Sequence, residues 1–82
     1  PLFGVRGLQV LSARAVGAGG KHLKLLLGSD RQGPPLDAIG FGMGGLAAGL
    51  SGRVDVAFRL ERNTYRDYES KQLNLVDLQS GT

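Results

Sequence analysis

The chain has 82 residues, room for one domain, and no cysteine, so neither a disulfide nor a thiolate metal site can brace it. Lys and Arg number 10 against 7 Asp and Glu, a net +3 that suits a polyanionic partner without demanding one. The lone histidine, His22, cannot build a zinc site, and no apolar run approaches the roughly 18 residues a membrane span needs.

Glycine, at 14 residues, punctuates the chain where turns between strands belong. Leu8 to Val16 reads as a first strand, and Gly17-Ala18-Gly19-Gly20 turns it. Lys21 to Leu27 follows as a second strand, with Leu23, Leu25 and Leu27 on one face and His22, Lys24 and Leu26 on the other. A polar Gly/Pro-rich connection, Gly28 to Pro35, leads to a short third strand, Leu36 to Phe41. Met43 to Leu50 has helical spacing at Met43, Leu46 and Leu50, weakened by three glycines at about 1 kcal/mol each. A stub of helix plugging a barrel end fits that pattern.

Arg53 to Arg62 alternates most cleanly: Val54, Val56, Phe58 and Leu60 against Asp55, Ala57, Arg59 and Glu61. Asn63 to Glu69 reads as a loop, and Ser70 to Leu78 as a fifth strand whose alternation slips between Leu75 and Val76, as at a bulge. Five short antiparallel strands on so few residues favour closure, which removes exposed edges. The expected fold is an all-β, five-stranded OB-fold barrel over residues 1–82, with one short helix between strands three and four. An SH3-like barrel is the nearest rival but usually lacks that helix.

Gly40-Phe41-Gly42-Met43-Gly44-Gly45 matches the dinucleotide pattern G-x-G-x-x-G. That cradle needs a full crossover helix and a parallel strand behind it, whereas the strand that follows alternates as a half-solvated antiparallel strand does. The motif is read as a decoy. The seven acids show no paired or metal-ligand spacing, and no nucleophile has a base in supporting context. No catalytic residue, metal site or cofactor is expected within this domain.

Lys21, His22 and Lys24 open strand two, and Arg59 lies on the polar face of strand four. Arg62, Tyr65, Arg66, Tyr68 and Lys71 gather around the strand-four loop. OB folds bind oligonucleotides on strands two and three and in the loops after strands one and four. There, aromatics stack on unpaired bases for about 1–3 kcal/mol each and cations neutralise phosphates. A plainer reading stands beside it: the tyrosines cap a barrel end, Arg59 pairs with a surface carboxylate, and His22 is a packing residue.

Lys21-His22-Leu23-Lys24-Leu25, Leu36 to Phe41, Val54 to Arg66, and Gln72-Leu73 with Asp77 together resemble the C-terminal OB domain of bacterial RecJ proteins, a likeness running from about Phe3 to Leu78. The resemblance implies a 5′-to-3′ single-stranded-DNA exonuclease of recombination and repair. Its Asp-His-His catalytic domains, with manganese or magnesium, would lie elsewhere in a parent chain. The domain itself would then hold single-stranded DNA and pack on those catalytic domains. The alternative is a scaffolding barrel that docks on the nuclease core, a single-strand-binding protein or another repair protein. The N-terminus lacks a signal peptide's layout, so a cytoplasmic module with no membrane contact is expected.

Overall fold

A computed structural model describes residues 1–30, 32–65 and 68–81, and of 62–65 and 68–70 the backbone alone. The strands are β1 (Phe3–Val16), β2 (His22–Gly28), β3 (Leu36–Gly40), β4 (Arg53–Tyr65) and β5 (Tyr68–Gly81). Two 3-10 turns, Ala18–Gly20 and Gly44–Gly49, join β1 to β2 and β3 to β4. The strands close into a barrel in the order β1-β2-β3-β5-β4. Neighbours run antiparallel except at the seam between β3 and β5, which is parallel through Ala38↔Leu73 and Ile39↔Asn74. The expectation of a wholly antiparallel barrel of short strands is corrected on both counts, since β1 and β5 each run 14 residues.

Alternation builds the core. Leu23, Leu25 and Leu27 of β2 are sealed inside with Leu8, Ala38, Val54, Val56, Phe58, Leu73 and Leu75. Each buried leucine stabilises the barrel by roughly 1.5–3 kcal/mol. Met43, Ala47 and Leu50 pack on this core from the second 3-10 turn. That segment is the expected plug, though in a tighter helix whose three residues per turn leave Leu46 45% exposed instead of inward.

β1 is long because it serves two neighbours, pairing with β4 along Phe3–Gln9 and with β2 along Gln9–Val16. It bends between them at Gly7, whose φ of +73° suits glycine, where the β4 register slips by one residue. Asp55 Oδ1 accepts the Gly7 N–H at 2.9 Å and Arg53 Nη1 donates to the Gly7 carbonyl at 2.8 Å, fastening the bend to β4. A second slip lies between Val10 and Ser12, leaving Leu11 outside the ladder. On β5, Ala57 pairs with Asp77 and Phe58 with Leu75, so Val76 is the bulged residue where the alternation was seen to slip.

The expected loop from Asn63 to Glu69 is replaced by paired strand. Backbone register continues through Asn63↔Ser70 and Thr64↔Glu69 to Tyr65↔Tyr68, and Arg66 and Asp67 lie outside the described residues. From Glu61↔Gln72 outward, the described pairing of β4 and β5 is with each other alone, so the hairpin runs past the barrel wall.

Candidate nucleic-acid interface

With three leucines of β2 committed to the core, strand geometry turns His22, Lys24 and Leu26 to the outer face. The ladders supply their neighbours. On β1, Arg14 lies opposite Lys24 and Ser12 opposite Leu26. On β3, Ile39 lies opposite Lys24 and Asp37 opposite Leu26. Ser12, Arg14, Lys24, Leu25, Leu26 and Asp37 line an open groove of about 340 Å³ across these strands. Lys24 Nζ pairs with Asp37 Oδ2 at 3.0 Å, and Gln72 Nε2 donates to the same oxygen at 3.3 Å.

At the end of β3 the chain leaves the sheet at Phe41, which is 58% exposed. The His22 ring stands edge-on to it, centroids 5.2 Å apart at 77°. His22 Nδ1 accepts the Gly42 N–H at 2.9 Å, which places the ring proton of the neutral imidazole on Nε2. The pair therefore forms an aromatic corner in which Phe41 is largely exposed to solvent. Two glycines of the G-x-G-x-x-G match, Gly42 and Gly44, help build this corner through their N–H groups. Gly44 donates its N–H to the Lys21 carbonyl at 2.9 Å, and a Cβ there would run into the backbone of Gly20 and Lys21.

The remaining expected residues spread further. Lys21 is exposed beside this corner. Arg59, also exposed, lies on β4 opposite Asn74, which itself neighbours Ile39 across the parallel seam. That puts Arg59 two strands beyond β3 and off the groove. Lys71 is exposed on the hairpin, opposite the backbone of Arg62. Tyr65 and Tyr68 face one another in register at the last described pair, and the side chains of Arg62, Tyr65 and Tyr68 lie outside the described residues, as does all of Arg66.

Two ion pairs tie down part of the charge on the described surface. Every described aspartate is engaged: Asp30 with Arg53 at 3.1 Å, Asp37 with Lys24, Asp55 with the Gly7 N–H, and Asp77 with the Leu78 N–H at 2.8 Å. Among the described residues, Arg6, Arg14, Lys21, Arg59 and Lys71 form no ion pair, and neither do the carboxylates of Asp55, Glu61 and Asp77.

Arg14, Phe41 and Asp37 were not among the residues expected at the interface. Plain alternation from Leu8 puts Arg14 on the inner face, and the extra residue at Leu11 reverses the parity so that Ala13 packs on the core and Arg14 turns out. Phe41 carried a usable signal: an aromatic one residue beyond the inward Gly40 falls on the face shared with Ile39.

Comparison with protein families adds one finding. The model of the family described as the RecJ OB domain matches residues 1–77 of this chain. A search of curated proteins finds no match.

Proposed function

The chain belongs to the RecJ OB domain family, and from that premise we propose that it is the single-stranded-DNA-binding barrel of a RecJ-like 5′-to-3′ exonuclease of recombination and repair. In this reading it grips the strand, while hydrolysis and its manganese or magnesium belong to other domains of the parent protein. The observation that carries the proposal is the outer face of β1, β2 and β3. It combines an exposed aromatic corner, Phe41 with His22, and a cross-strand cation pair, Arg14 with Lys24.

The chemistry matches unpaired nucleic acid. A base stacks on the exposed Phe41 ring, a contact worth about 1–3 kcal/mol and available only when the base is out of a duplex. His22 Nε2–H donates to a base edge or a phosphate oxygen. Lys24 is two residues along β2 from His22, about 6.5–7 Å, so base platform and phosphate cations fall within one nucleotide's reach. Leu26 and Ile39 give the backbone sugars an apolar floor. Lys21 flanks the corner, and the hairpin bearing Arg62, Tyr65, Arg66, Tyr68 and Lys71 is the second point of contact, with Arg59 at its base.

Fluorescence anisotropy with labelled single-stranded and duplex DNA across a salt series tests this. The expected result is preference for the single strand, with affinity falling with salt at a slope of about 0.7 per phosphate contacted. Duplex preference, or affinity indifferent to salt, contradicts it.

A second reading, docking on the catalytic domains, draws on Phe3, Leu36 and Leu60, all exposed large hydrophobics. Retention of the nuclease core in a pull-down, with no DNA affinity, favours that reading.

A further inference from the structure

Asp37 is an acid in the middle of a cationic groove. Its side chain is 44% exposed and its carboxylate holds the Lys24 ammonium, on a side chain 27% exposed, at 3.0 Å. It lies opposite Leu26 on the same outer face, and Gln72 steadies it from β5 through a 3.3 Å bond. The barrel does not depend on this charge. The core is the leucine and valine cluster, and a part-exposed ion pair contributes about 0–1 kcal/mol. The cost to function is larger, because Lys24 and Arg14 sit side by side across β1 and β2 in an arrangement that suits one phosphate.

We infer that Asp37 is an affinity-limiting residue of this face, competing with a phosphate diester for Lys24. The inference rests on the single-strand reading above. A phosphate approaching Arg14 meets a lysine whose charge is already matched and a carboxylate that repels it. Each nucleotide is therefore held weakly enough to move on, which suits a module that feeds a strand through instead of storing it.

The experiment measures oligothymidylate binding to the full 82-residue chain and to Asp37→Asn, Lys24→Gln and the double variant, by anisotropy across a salt series, with thermal midpoints taken in parallel. Asparagine keeps an acceptor for Gln72 and Lys24 but removes the charge. Asp37→Asn is expected to bind about three- to tenfold tighter at low salt, with a slope steeper by up to about 0.7. In the Lys24→Gln background the gain is expected to be smaller, because only the carboxylate's repulsion of the phosphate is relieved and there is no ammonium left to release.

Unchanged or weaker binding by a folded Asp37→Asn, with the parent chain binding normally, overturns the role of Asp37 alone. Loss of salt-dependent single-strand binding in the parent chain and in every variant overturns the underlying reading, and this inference with it. Should Asp37→Asn fail to fold, Asp37→Ser, which also removes the carboxylate and adds no cation, tests the same competition; the expected sign is again tighter binding, and unchanged or weaker binding overturns it.

Discussion

Replacing Phe41 with alanine separates the binding face from the fold more sharply than any other single change. Phe41 is 58% exposed and stands outside the buried cluster, so its removal opens no core cavity. What is lost within the protein is the edge contact with His22, about 0.5–1.5 kcal/mol for a well-packed pair and toward the low end at so open a site. His22 keeps its bond from the Gly42 N–H. The thermal midpoint is therefore expected to fall by only a few degrees, since about 1 kcal/mol corresponds to 4–8 °C in a domain of this size. If a base stacks on the ring, binding loses about 1–3 kcal/mol, a drop of about fivefold to about 150-fold. Anisotropy with a short oligothymidylate reads the affinity and thermal denaturation reads the fold. Phe41→Trp should preserve or improve binding. Affinity within twofold of the parent in a folded Phe41→Ala refutes the stacking platform and leaves the face to electrostatics alone.

Three further outcomes follow from the same geometry. Arg14→Glu should weaken single-strand binding and flatten its salt dependence by about one phosphate contact, with little change in thermal midpoint, because Arg14 is exposed and unpaired among the described residues. Gly44→Ala should cost about 2 kcal/mol or more in urea denaturation, because the added methyl collides with the Gly20 carbonyl and the Lys21 backbone. Leu25→Ala, at a position 1% exposed, should cost about 2–5 kcal/mol, enough to unfold so small a barrel in a thermal scan.

Much of the barrel was legible before any coordinates. The leucine alternation of β2, the valine–phenylalanine alternation of β4, the plug after β3 and the bulge at Val76 each follow from period-2 patterning and glycine placement. What escaped came from features that patterning cannot register. One extra residue at Leu11 reverses which side of β1 faces in, which alternation counted from Leu8 cannot register, and it turns Arg14 outward. Asn63 and Thr64 have the composition of a turn yet are held in a paired hairpin, because ladder hydrogen bonds and cross-strand neighbours override local preference. The parallel seam between β3 and β5 is a consequence of closure, which no local stretch encodes. Lys24 and His22 were correctly placed on the outer face, but their partners, Asp37 and Phe41, come from β3 and its end, and only the register brings them together.

The claim that a single strand lies across β1, β2 and β3 is tested most directly by titrating the isotopically labelled chain with a short oligothymidylate and following amide shifts residue by residue. The account predicts that the largest changes cluster at Ser12, Arg14, His22, Lys24, Ile39, Phe41 and Gly42. Changes confined to the opposite wall, around Gly4, Asp55, Ala57 and Gln79, would contradict it.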